Sequence, residues 1–161
     1  MTLPELHTYT IQIKPERISP LTLNKKPVRT FTAPVTQKKL PKLYIIKKNN
    51  EILYVGATVQ SISTRLRYGI NATGKQGYHG YQWKDETEGL ELLIWCFENL
   101  IYEDEKEYKE NIKKIEAIEA EVVFLYRQKR GKWPEAQTEI HFHNDEESRK
   151  IAEEIYNRAV K

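Results

Sequence analysis

Lys42-Leu43-Tyr44-Ile45-Ile46-Lys47-Lys48-Asn49-Asn50-Glu51-Ile52-Leu53-Tyr54-Val55-Gly56 consists of two apolar, β-branched and aromatic runs on either side of a pair of asparagines. Such runs favour strands, and asparagine tolerates the left-handed conformations of a tight turn, so the segment is expected to form a β-hairpin. A two-residue Asn49-Asn50 turn would pair Lys48 with Glu51 and Ile45 with Tyr54, which sends Tyr44 and Tyr54 to opposite faces. Only an odd loop or a bulge would bring both tyrosines to one face.

On the C-terminal side, Ser61 or Ser63 can cap a short helix on which Ile62, Leu66 and Ile70 fall at intervals of four. Residues 69–80 form a glycine-rich loop, 90–97 a buried strand, and 103–128 a long helix ending before Gly131 and Pro134. Ile140 and Phe142 suggest a short extended stretch, and Asn144 with Glu147 a capping-box-like start for a last helix over 145–160. On the N-terminal side, residues 8–14 alternate Tyr9, Ile11 and Ile13 with polar residues, the period of a half-buried strand able to extend the main sheet. Residues 17–41 carry Pro20, Pro27, Pro34 and Pro41 among basic residues and read as an extended basic arm. The β-β-α-β-α order indicates an α+β fold, a small sheet flanked by helices behind a basic N-terminal extension. The expected units are 1–41 (strand and arm), 42–144 (the main domain) and 145–161 (a helix packing on it).

Composition narrows the function. Residues 1–84 hold 14 Lys and Arg against 3 Asp and Glu, and the remainder hold 12 against 20. The first half can therefore meet a phosphate backbone while the second supplies carboxylates. Lone Cys96 excludes an internal disulfide, and residues 1–10 lack the apolar core of a signal peptide, so a cytoplasmic location is expected. No run reaches the roughly 20 apolar residues of a membrane span.

With Tyr44 closing one triplet, Tyr54-Val55-Gly56 forming the next about ten residues on, Arg65 on the following helix and a glutamate on a later one, the chain resembles the GIY-YIG nuclease family over 42–144. The resemblance implies a metal-dependent DNA endonuclease with catalytic Tyr44, Tyr54 and Arg65, and Glu121 as the ligand of Mg2+ or Mn2+. It asks both tyrosines to face one site, so an irregular hairpin is expected. It also implies a helper role for His79, where some members carry a histidine that positions water or metal. Three positions depart from the family's pattern: Lys42-Leu43-Tyr44 as first triplet, Gly69 in place of a His or Tyr, and Gln137 in place of an Asn. Tyr68 is the neighbour that can stand in at the second. The partner is expected to be double-stranded DNA. With no separate targeting module, specificity falls to loops, the arm or a homodimer, as in the family's compact restriction enzymes. Two alternatives stay open: a binding module without chemistry, and a nuclease selective for branched DNA.

The residue types suit that chemistry independently. Phosphodiester hydrolysis is mostly positioning and charge stabilisation around an anionic phosphorus. Arginine's planar fork matches phosphate oxygens, and a phenol beside such charges is expected to ionise below its free pKa of about 10 and take a proton from water. Tyr44 is the favoured base, Tyr54 orienting water or phosphate, with the two roles exchangeable. Along the long helix, Ile115, Ile118, Val122 and Leu125 share the core face, Glu116 lies opposite and should be solvated, and Glu119 and Glu121 sit on the two flanks. Spacing does not choose between the flanks; the family's habit favours Glu121, with Glu119 as the alternative.

Other residues have competing readings. Tyr78, Tyr81 and Trp83 beside Lys84 can stack on unpaired bases, while Trp83 and Trp133 also suit packing. Lys25, Lys26, Arg29, Lys38 and Lys39 are candidate phosphate contacts. His141 and His143 have metal-ligand spacing, but a single cysteine and no further cluster argue against a structural zinc.

Overall fold

The computed structural model describes residues 1–86, 88–138 and 146–161. Six strands, β1 (Leu6–Lys14), β2 (Arg17–Leu23), β3 (Lys26–Pro27), β4 (Lys42–Lys48), β5 (Glu51–Thr58) and β6 (Leu90–Cys96), form one antiparallel sheet in the order β3-β2-β1-β6-β4-β5. Three helices accompany them: α1 (Ile62–Asn71), α2 (Glu105–Arg130) and α3 (Glu146–Ala159). The fold is α+β. Among the described residues no helix is long and apolar enough to cross a membrane.

The β4–β5 hairpin has the expected irregularity. Asn49 takes φ 54° in the turn, Lys48 pairs with Glu51 and Lys47 with Ile52, and then Leu53 is left over so that Ile46 pairs with Tyr54 and Tyr44 with Gly56. This bulge turns Tyr44 and Tyr54 to the same face.

Sheet burial on both faces explains why β4 reads as continuously apolar instead of alternating. Leu43, Ile45, Val55, Leu93 and Trp95 pack against Ile115, Ile118 and Val122 of α2 and Ile151 and Ile155 of α3. Tyr44, Ile46, Leu92 and Ile94 pack against Ile62 and Leu66 of α1 together with Tyr81 and Trp83 from the loop after it. Asp104 caps α2 by accepting a hydrogen bond from the Glu107 amide at 2.9 Å, and Gly131 ends it at φ 75°.

The expected basic arm is not an arm. Arg17–Leu23 is a strand paired with β1, and β1 pairs in turn with β6, so the N-terminal residues build half of the strands of a single sheet. The expected boundary at 41/42 coincides with no break in that sheet. Pro20 is accommodated opposite Ile11, where the β1–β2 register shifts, a position at which a strand tolerates a missing donor. The strap that follows is held down by buried Val35 and Leu40 and by Lys42. Lys42 is fully buried and its ammonium donates to the carbonyls of Gln37, Leu40 and Gln60 at 2.6, 2.7 and 3.0 Å. Burial lowers its pKa to about 8.

Candidate functional site

A cleft of about 650 Å³ opens beside β5, the last strand in the sheet order, walled by α1, α2 and the loop between α1 and β6. Its lining brings together Tyr54, Arg65, His79, Tyr81, Glu116 and Glu119. Tyr44 belongs to the same cluster but lies behind it, fully buried, its ring 5.9 Å from that of Tyr54. Tyr44 and Gly56 face each other across the hairpin, and a Cβ at Gly56 would come within 2.6 Å of the Tyr44 hydroxyl, so glycine is needed for the close approach.

Tyr81 is the residue that the sequence did not single out for this role. It shares a 2.8 Å hydrogen bond with Tyr44 through the two hydroxyls, and its ring meets that of Tyr54 edge-on at 5.3 Å. Its ring lies against Gly69, where any Cβ would overlap it. The glycine that departs from the family's pattern therefore makes room for a tyrosine delivered by the loop. Tyr68 does not fill that place: it is 58% exposed and stacks on Tyr78. The one available signal was Tyr81's place near Trp83 and Lys84, and it pointed to base stacking.

Arg65 is half-buried, projecting from α1 over the rings of Tyr81 and Tyr78 at 5.4 and 5.7 Å, with Nη1 donating to the Tyr78 hydroxyl at 3.1 Å. Burial works against its charge and the surrounding tyrosines act the other way, with a raised pKa as the outcome; a guanidinium is in any case a cation near neutral pH. The phenols move opposite to expectation. Burial pushes Tyr44 and Tyr54 well above the usual phenol value; Tyr81 adds to the first, Tyr44 and Glu119 to the second, and Arg65 offsets only part. Tyr81 is raised as well, again chiefly by burial. Near neutral pH the cluster is a set of uncharged hydroxyl groups around one guanidinium.

The flank of α2 that faces the cleft carries Glu119, not Glu121. Glu119 is 6% exposed and close enough to Tyr54 to raise its pKa. Glu121 turns toward α3, where Arg149 Nη1 donates to its carboxylate at 3.0 Å, so the structure does not bring it to the tyrosines. The α2–α3 contact takes that flank, and nothing in the α2 sequence alone could say so. Glu116, expected to be solvated, is half-buried and lines the cleft one turn from Glu119, because the cleft wall widens the helix's covered surface beyond its apolar stripe.

Gln137 tapes the β5 edge. Its amide accepts from the Val55 N–H at 2.9 Å and donates to the Val55 carbonyl at 3.1 Å, while the Ala136 N–H donates to Leu53. These bonds satisfy an open strand edge and fix one wall of the cleft. His79 sits exposed at the cleft rim. Trp83 is 2% exposed core, whereas Trp133 is 45% exposed and packs edge-on against Phe124. His141, His143 and the expected 140–144 elements lie outside the described residues. No protein-family model, curated protein or solved structure matches the chain.

Proposed function

We propose that the chain is a GIY-YIG-type endonuclease that hydrolyses phosphodiester bonds in double-stranded DNA with a divalent cation. The observation that carries this reading is convergence: Tyr54 from β5, Arg65 from α1, Tyr81 from the loop and Glu119 from α2 meet at one cleft, with Tyr44 behind them. Two phenols, a guanidinium and a carboxylate thus reach the same spot from four separate parts of the chain.

The donors suit a hard divalent ion such as Mg2+ or Mn2+. Glu119, with Glu116 beside it, offers carboxylate oxygens on one stripe of α2, and such ions are often held by one or two carboxylates with water and phosphate oxygens completing the shell. Among the described residues there is no group of three or more His, Cys, Asp or Glu of the kind a closed zinc site uses. When bound, the ion would supply charge for the phosphoryl oxygens and ease departure of the leaving oxygen.

The chain's own residues do the rest. Arg65 pairs its fork with non-bridging oxygens and stabilises the charge that builds on them. Tyr54, which faces the cleft, accepts the proton of the attacking water at its hydroxyl oxygen when in the phenolate form. Tyr44 is a positioning residue: its hydroxyl holds that of Tyr81, and the two rings brace Tyr54. The binding-module reading draws on the neutral phenols, which leave Tyr44 and Tyr54 unready as bases in the resting protein.

Incubation of supercoiled plasmid and of a branched duplex with the protein, with and without Mg2+, separates the readings. Magnesium-dependent cutting that falls at least about 100-fold in Tyr54→Phe and in Arg65→Ala is the expected result. Binding without cutting under Mg2+ or Mn2+ would overturn the enzyme in favour of the binding module, and cutting confined to the branched duplex would favour structure selectivity.

A further inference from the structure

A second groove, of about 990 Å³, lies between the β1–β2 turn, the segment 29–31 and the side of α1 turned away from Arg65. At about 100° per residue, Ser63, Arg67 and Asn71 share that side. Lys14, Arg17, Arg29 and Arg67 line the groove, all exposed, and among the described residues none of the four has an ion-pair partner. Glu16 is its one carboxylate. The turn that carries Glu16, at φ 67°, is tied to α1 by the Asn71 side-chain amide, which donates to the Glu16 carbonyl at 2.9 Å. The groove therefore joins two elements that the sequence keeps about fifty residues apart.

The groove is continuous with the cleft. A shallow depression of about 310 Å³ shares Lys14 and Glu16 with the groove, and Lys84 and Asp85 with the cleft. Cationic side chains thus run from Lys84 through Lys14 to Arg17 and Arg67, with Asp85 and Glu16 beside the first two. Four unpaired cations against one carboxylate complement a polyanion. Phe31, half-buried with its ring edge-on to Tyr9 at 5.0 Å, is the one aromatic in the lining, so charge and not base stacking dominates the groove.

We propose that this groove holds the sugar-phosphate backbone of duplex DNA some nucleotides beyond the phosphate in the cleft. The proposal takes its partner from the nuclease reading, but its test does not need cleavage. Binding of a duplex of about 30 base pairs is measured by fluorescence anisotropy across a salt series without divalent ions. The Arg17→Gln/Arg67→Gln double variant should bind about tenfold or more weakly, and its slope of log affinity against log salt should shrink by about 2, roughly one unit for each phosphate left without its arginine. Exposed Lys106 and Lys113 on α2 serve as the control, and Lys106→Gln/Lys113→Gln should leave the slope unchanged. All three proteins should share one melting temperature. An unchanged slope in the arginine variant overturns the groove, as does tighter binding of the single strand that depends on the same arginines, or no duplex binding by the wild type. Wild-type binding with the expected fall in slope but no cutting in Mg2+ sinks the nuclease reading alone.

Discussion

Glu119 and Glu121 are two positions apart on α2 and serve different neighbours, the first the cleft and the second Arg149 of α3. Glu119→Gln keeps the shape but removes the charge, so cleavage should fall at least about 100-fold in an initial-rate assay. Glu121→Gln should cut at close to the wild-type rate. Its cost is one ion pair with a partly exposed arginine, under about 1 kcal/mol in a urea titration. The reverse pattern would put the metal on the α3 side and break the site described above. The same cluster sets a pH dependence. Burial raises the Tyr54 pKa, so near neutral pH its phenolate is scarce and grows tenfold per pH unit. The single-turnover rate should therefore climb with a slope near +1 in log rate from about pH 7 to 9. A flat profile would remove Tyr54 as base.

Gly69 and the β4–β5 bulge are where single elements set the site. Any Cβ at Gly69 overlaps the Tyr81 ring, and the ring is braced behind by Tyr44, so Gly69→Ala must move either α1 or Tyr81. Overpacking of this kind costs about 1–3 kcal/mol. Activity should drop with it, since the Tyr44–Tyr81 bond is lost. Gly69→Ala/Tyr81→Ala should regain part of the stability but none of the activity, which separates crowding from chemistry. Equal activity in Gly69→Ala and wild type would mean that Tyr81 is only filler. The bulge was legible beforehand because the resemblance asks both tyrosines to face one site and a regular two-residue turn forbids it. Arg65 was legible only through the resemblance, since a polar helix face by itself reads as solvated surface. Tyr81 was not, since a glycine-rich loop has no periodicity from which to read direction. The choice between Glu119 and Glu121 was also hidden, because it depends on which flank α3 covers, a long-range packing decision absent from the α2 sequence. β2 was concealed by Pro20, whose exclusion from ladders is lifted by a register shift that only pairing with β1 creates.

At the scale of the whole molecule, the basic first half is part of the frame, and this changes what its removal would do. A detachable arm would be lost with weaker DNA binding as the sole effect. Here deletion of residues 1–39 takes away β1, β2 and β3 and strips β6 of a partner along its length. The buried side chains lost include Tyr9, Ile11, Ile18 and Val35. At about 1.5–3 kcal/mol for each such side chain, the loss is on the order of 6–12 kcal/mol, comparable with the roughly 5–15 kcal/mol that holds a domain folded. The new edge would be Leu90–Cys96, whose residues are almost all buried in the intact sheet, and an apolar edge of that kind pairs with other chains. The truncated protein should therefore show no cooperative thermal transition and should aggregate at micromolar concentration. Replacing exposed Lys25 and Lys26 by Gln, which removes charge from the same region without touching the core, should leave the melting temperature within about 2 °C of wild type. If the truncated chain instead melts cooperatively near the full-length temperature, the three N-terminal strands are an addition to a self-sufficient β4-β5-β6 sheet, and the charge asymmetry can be assigned to a separable binding segment after all.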